Sequence, residues 1–139
     1  MIAITESRDK TATEEVVKKI QSLSSQCLAL PCDIKNSDDI RKFLKAVIDR
    51  YGRIDVLVHC AGISPNIEFD DQIDDDWREV LDVNVIGSFR FVQQTRALMI
   101  DLAKARNETG EAGNIILLGS TNGINSNNPI SAPYDSSKA

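Results

Sequence analysis

Ile54-Asp55-Val56-Leu57-Val58-His59, running straight into Cys60-Ala61-Gly62, is the stretch on which the fold turns. Its near-continuous apolar character is that of a parallel strand covered on both faces, and the small residues behind it end the strand. Just upstream, Ile40, Phe43, Leu44, Val47, Ile48 and Tyr51 recur at helical spacing. Ser37 and Asp38 can cap the start of that helix, and Gly52 stops it. Toward the N-terminus, Cys27-Leu28-Ala29-Leu30-Pro31 reads as a strand ending at the Asp33-Ile34 turn. Thr11-Ala12-Thr13-Glu14 offers a capping box for a helix carrying Val16, Val17, Ile20 and Leu23, and Ile2-Ala3-Ile4-Thr5 is a further β-type run.

Toward the C-terminus a polar, acidic loop leads into one long helical segment from about residue 75 to 105, with Trp77, Leu81, Val85, Phe89, Val92 and Leu98. Residues 107 to 113 form a linker, Ile115-Ile116-Leu117-Leu118 a buried strand, and residues 119 to 133 a loop rich in Gly, Ser, Asn and Pro. Strands alternating with helices predict right-handed βαβ units and a doubly wound α/β fold, a parallel sheet with helices on both faces. Ligands of such sheets bind outside the carboxyl ends of the strands. Asp33, Cys60-Ala61-Gly62 and Ser120 each follow a strand, so periodicity alone places them on one edge.

Composition narrows the function classes. The 139 residues suffice for one domain at most, and a net charge of −5 disfavours nucleic-acid binding, which needs a concentrated basic face. No apolar run is long enough to cross a bilayer, and no basic n-region with an apolar h-region opens the chain, so a cytoplasmic location is expected. Three cysteines without zinc-like spacing fit a reducing compartment, with Cys27 and Cys32 read as small buried hydrophobes. The acidic run Asp70, Asp71, Asp74, Asp75 and Asp76 lacks a metal-ligand rhythm and reads as a solvated loop and helix start, so no metal is expected. His59, the one histidine, ends a buried-type strand and reads as a packing residue.

Tyr134 and Lys138 carry the chemistry. The Tyr-x-x-x-Lys spacing puts phenol and ammonium one helical turn apart on one face. An ammonium fixed beside a phenol favours the phenolate. A hydroxyl from Ser120 could hold a carbonyl or alcohol oxygen while the tyrosine passes it a proton.

Five elements in order, spread over the whole chain, resemble the short-chain dehydrogenase/reductase family. They are Asp33-Ile34, Cys60-Ala61-Gly62, Asn84-Val85-Ile86-Gly87, the strand running into Gly119-Ser120, and Tyr134-Asp135-Ser136-Ser137-Lys138. The resemblance implies a Rossmann-like fold and interconversion of a ketone and a secondary alcohol. Tyr134 would be the general acid/base and Ser120 would orient the substrate oxygen. Lys138 would bind the nicotinamide ribose, and Asn84 would hold a water linking that lysine to solvent. Thr121 stands as a rival hydroxyl to Ser120.

The cofactor would be NAD or NADP. Asp33 would meet the adenine amine with Ile34 beside the ring, and Cys60, Ala61 and Gly62 would line the ribose, Cys60 standing where the family usually has Asn. Glu6, which would grip the adenosine 2′-hydroxyl, leans the reading to NAD, whereas Arg8 could meet a 2′-phosphate.

The family's glycine-rich pyrophosphate turn is absent from this sequence. Residues 1–139 thus resemble the middle of a dinucleotide-binding domain, without its first strand and C-terminal strands, and are expected to be poorly folded and inactive alone. The stretch from Leu98 to Leu118 is most similar to 3-oxoacyl-carrier-protein reductases. A sugar or polyol dehydrogenase, or a non-catalytic fragment acting as an interaction surface, remains an alternative. The completed protein would act on a small carbonyl or alcohol substrate as a homodimer or homotetramer.

Overall fold

The computed structural model describes residues 1–6, 9–126 and 128–139. The elements are β1 (Ile2–Glu6), α1 (Lys10–Ser22), β2 (Cys27–Pro31), α2 (Ser37–Tyr51), β3 (Val56–His59), α3 (Asp74–Leu81), α4 (Ser88–Ala105), β4 (Asn114–Leu117) and α5 (Ala132–Lys138). β1 runs parallel to β2 with Ile2 opposite Cys27, and β3 runs parallel to β4 with Val56 opposite Asn114. Parallel partners need a crossover, which α1 gives the first pair and α3 with α4 the second. This is the Rossmann-like α/β organisation, seen here as two two-stranded sheets. Between β1 and β3 lies an apolar slot of about 590 Å³, lined by Ile2, Ile4, Val56 and Val58 and floored by Phe43 and Phe91.

Helix ends follow from local chemistry, at slightly different residues than the pattern suggested. Asp9 caps α1, its carboxylate accepting the Ala12 N–H at 3.1 Å, so the start lies just before the Thr11 box. Asn36, one residue ahead of Ser37, caps α2 by accepting the Asp38 N–H at 2.8 Å. Gly52 closes α2 at φ 75°, a left-handed conformation that costs glycine little. The long helix expected from about residue 75 is interrupted: between α3 and α4 the six residues Asp82–Gly87 form a π-helical turn.

The core sits where α2 meets α4. Ile40, Phe43, Leu44 and Val47 join Ile34, Val83 and Phe91, with Leu28, Leu30, Leu57 and Ala61 packed against them. The Phe43 and Phe91 rings lie 5.9 Å apart in a tilted arrangement that suits the aromatic quadrupole. The covering of both strand faces that the run at 54–59 implied is not complete. Val56 and Val58 are each 53% exposed and Ile116 is 50% exposed, whereas His59 is buried. In β3 the exposed residues alternate with Leu57 and His59, as opposite faces of a strand do, whereas in β4 the neighbours Ile116 and Leu117 are both exposed, so the buried strand expected at 115–118 is open on both faces.

Ile40, with no exposed surface, anchors this core. Ile40→Ala should cost about 2–5 kcal/mol. In a urea titration followed by Trp77 fluorescence, the midpoint is expected to fall sharply, and an unchanged midpoint would place the core elsewhere.

Candidate active site

α5 brings the tyrosine and lysine together as their spacing requires. The Lys138 Nζ lies 5.7 Å from the centre of the Tyr134 ring and donates to the Leu118 carbonyl at 3.1 Å, just beyond the end of β4. The ammonium is thus held by strand and helix at once.

Asn84 occupies the π turn and is buried. Its Oδ1 accepts the Ile63 N–H at 2.8 Å, while its Nδ2 donates to the Ile63 carbonyl and to Ser137 Oγ, both at 2.9 Å. Ser137 Oγ in turn donates to the Tyr134 carbonyl at 2.6 Å. One amide therefore clamps the loop after β3 to the helix carrying Tyr134 and Lys138. Gly62 sits inside the clamp: a Cβ there would stand 3.2 Å from Asn84 Oδ1 and 3.9 Å from Lys138 Nζ. π-Helical turns recur at functional sites because the wider turn re-aims a side chain without ending the helix.

Ser120 follows β4, and its Oγ accepts the Asn122 N–H at 3.2 Å. Asn122 Nδ2 donates to Asp135 Oδ1 at 2.8 Å, and Asp135 also accepts the hydroxyls of Ser126 and, at 3.0 Å, Ser131. The turn bearing Ser120 is thereby tied to α5 by a buried carboxylate. The hydroxyls of Ser126 and Ser131 and the Asn122 amide hold Asp135 below the usual carboxylate range, Ser126 contributing most.

His59 is buried against Phe91, with ring centres 5.8 Å apart, and its Nε2 lies 2.8 Å from Ser88 Oγ. The packing role is real, and the polar contact adds to it. Burial, then the Lys138 charge, holds the imidazole pKa below its ordinary value, so the ring is neutral near pH 7. That depression makes the contribution of His59 to stability complete above about pH 6.5, and it is lost as pH falls toward the lower folded-state value. Burial also pushes the Cys32 thiol up to about 11, with Asp39 and Asp33 adding to it, which keeps it a protonated, packed side chain.

Of the other expected residues, Asp33, Ile34 and Glu6 lie on the β1–β2 side, whereas Cys60 and Ala61 follow β3. Asp33 is exposed after β2, and its Oδ1 accepts the Lys35 N–H at 2.9 Å. Ile34 is buried in the core, where Gly87 of the π turn approaches it so closely that a Cβ would stand 3.0 Å from Ile34 Cγ1. Lys35 Nζ bonds both Glu79 oxygens, at 2.8 and 2.9 Å, and Arg90 donates to the Lys35 carbonyl at 2.7 Å. These bonds fix the Asp33-Ile34 turn against α3 and α4. Glu6 ends β1, Cys60 is exposed, and Ala61 packs on the core. Arg8 lies outside the described residues.

The structure thus joins Gly62, Asn84, Tyr134 and Lys138 in one cluster and links Ser120 to it through Asn122 and Asp135. Sequence reasoning missed Ser137, Ser88, Asn122 and Asp135. Ser131 and Asp135 stand four apart and so share a helical face, a legible signal, but nothing local marks Ser137 as the partner of Asn84. Among the described residues no helix is long and apolar enough to cross a membrane.

The cluster lies at the carboxyl ends of β3 and β4. The model of the short chain dehydrogenase family matches residues 2–139, and the chain belongs to that family. It is 28% identical over 138 residues to a 3-oxoacyl-[acyl-carrier-protein] reductase of Synechocystis, covering 99% of this chain and 52% of that protein. Among solved structures it is similar to a short-chain type dehydrogenase/reductase from Mycobacterium marinum, with a TM-score of 0.86 and 27% identity over 99% of this chain and 53% of that one. It is also similar to an actinorhodin polyketide ketoreductase with NADPH, with a TM-score of 0.79 and 26% identity over 98% and 49%. The chain spans about half the length of the curated relatives it matches.

Because the Asp135 pKa is depressed in the folded state, its contribution is present above the ordinary value of 3.8 and lost as pH falls through the folded-state value. The stability gap between the native chain and Asp135→Asn, measured by urea unfolding at a series of pH values, should therefore shrink below about pH 4. A gap constant down to pH 2.5 would show that the carboxylate charge is irrelevant to the loop.

Proposed function

We propose that the chain provides the proton-transfer machinery of an NAD(P)-dependent reductase that interconverts a ketone and a secondary alcohol, of the 3-oxoacyl-reductase type. The observation that carries this reading is the Asn84 clamp, which holds the helix of Tyr134 and Lys138 beside Gly62. The name of the Synechocystis relative points to a 3-oxoacyl thioester as the ketone.

The residues present fit a nicotinamide nucleotide. Gly62 lets Asn84 and the Lys138 ammonium sit close to the backbone after β3, where a Cβ would stand 3.2 and 3.9 Å from them. Main-chain atoms of Cys60-Ala61-Gly62 and the Lys138 ammonium would hold the ribose nearest the chemistry. Asp33 would accept from the adenine amine, with Ile34 beneath the ring. Glu6 at the end of β1 would take a ribose 2′-hydroxyl, which favours NAD over NADP. When bound, the nicotinamide supplies or accepts the hydride.

In the reducing direction Tyr134 gives its phenolic proton to the carbonyl oxygen, and Ser120 donates a hydrogen bond to that same oxygen. Lys138, tethered to the Leu118 carbonyl, keeps a positive charge beside the phenolate that remains. Asn84 fixes the helix register through Ser137, so that phenol and ammonium stay in step. Leu81, Val85 and Phe89, 37%, 41% and 59% exposed, form an apolar stripe suited to a homodimer or homotetramer of the completed protein. The free thiols Cys27, Cys32 and Cys60 suit a reducing cytoplasm.

A chimera in which residues 1–139 replace the matching half of the Synechocystis reductase tests the roles. Tyr134→Phe in it should lower turnover about 10²- to 10⁴-fold while leaving cofactor affinity nearly unchanged. Substantial residual turnover would move the acid to another group.

The 139-residue chain alone should neither bind NADH nor reduce a ketone, since its sequence has no glycine-rich turn to cradle a pyrophosphate. Titrating it with NADH and following nicotinamide fluorescence checks this. Saturable binding at micromolar concentration would overturn it.

A further inference from the structure

We propose that His59 is a positioning residue, which acts through Ser88 to hold the Asn84 main-chain carbonyl and so keeps the Asn84 side chain aimed at α5. The reading of Tyr134 as the acid gives this its catalytic consequence, but the structural claim stands apart from it.

The hydrogen bonds leave one consistent arrangement. Ser88 Oγ donates to the Asn84 carbonyl at 2.7 Å. A serine hydroxyl has a single proton, so in the 2.8 Å contact with His59 the imidazole must be the donor. The ring therefore carries its proton on Nε2, with the lone pair on Nδ1. Its neutrality follows from its surroundings. β4 faces it with backbone, the Leu118 N–H donating to the His59 carbonyl at 3.2 Å. α4 brings the uncharged Ser88 and Phe91, and α5 brings the Lys138 charge.

Asn84 is thus held at two ends. Its carbonyl is fixed by the chain His59–Ser88, and its amide by Ile63 and Ser137. The clamp on the Tyr134 helix needs the side chain to leave the π turn in one direction. A π turn lacks the uniform pairing that sets direction in an α-helix, so an outside donor on the carbonyl supplies what the turn does not. A residue that merely filled the volume beside Phe91 would need no nitrogen facing Ser88.

Because His59 is the one histidine, the imidazole signals of the chain belong to it. In a long-range proton–nitrogen spectrum near pH 7, we expect a protonated Nε2 whose proton is directly visible through slow exchange with water. A proton on Nδ1, or no protected ring proton, overturns the proposal.

Two variants separate positioning from packing. His59→Gln keeps an N–H donor of similar reach, and His59→Leu keeps only the apolar volume. The Leu variant should raise amide exchange about three- to tenfold at residues 82–88 and 134–138, as loss of one hydrogen bond would, with the Gln variant close to native. Equal exchange in both variants at those segments overturns it. A Tyr134→Phe chimera with full turnover would sink the catalytic reading while leaving these results untouched.

Discussion

The site hangs on one carboxamide. Asn84 bonds the loop after β3 on one side and α5 on the other, and no other described side chain ties both. Its bonds to Ile63 recruit both backbone groups of one residue, as a paired strand would. A buried amide left half satisfied costs on the order of 1–3 kcal/mol, so the clamp is under pressure to stay closed. The geometry is also crowded enough to fix its neighbours. A Cβ at Gly62 would press on the amide oxygen at 3.2 Å and one at Gly87 on Ile34 at 3.0 Å, so both glycines let these neighbours sit close. Two of the chain's glycines thus serve space rather than backbone freedom.

How much of this was legible depends on the range of the interaction. The α2 stripe, its Gly52 stop and the β2 run are local patterns, and the helix and strand lie where those patterns put them. The caps drifted by a residue or two because Asp9 and Asn36 compete with the neighbouring Thr11 and Ser37 for the same orphan N–H groups. The π turn was only partly legible: Asp82 to Gly87 is a run of weak helix formers, but what it packs against, Ile34 and Ile63, is distant in sequence. The pairing of Tyr134 with Lys138 could be read from their spacing together with the ordered motifs that precede them. Asp135, between them, gave no sign that it anchors the Ser120 turn until Asn122, Ser126 and Ser131 were seen around it.

The apolar run from Ile54 to His59 shows where pattern reading overreaches. It implied cover on both faces, yet Val56 and Val58 stay half exposed and the slot beside β1 is lined by their side chains. Residue type reports what a strand is suited to meet, whereas burial reports what meets it within this chain. The two agree on the face toward α2 and α4, where Leu57 and His59 lie, and part on the other.

The π turn has a further consequence when change is counted in insertions and deletions. Wound as ordinary α-helix at its present length, Asp82–Gly87 would carry one residue too many and turn α4 by about 100° relative to α3. Phe91, Thr95, Met99 and Ala103, buried along one side of α4, would swing away from the core together. With six residues in this segment, the wide turn is therefore held by the core as well as by the site. A lineage could shed one residue here and close the turn with α4 still facing the core, but it could not close the turn and keep all six residues without repacking the whole helix.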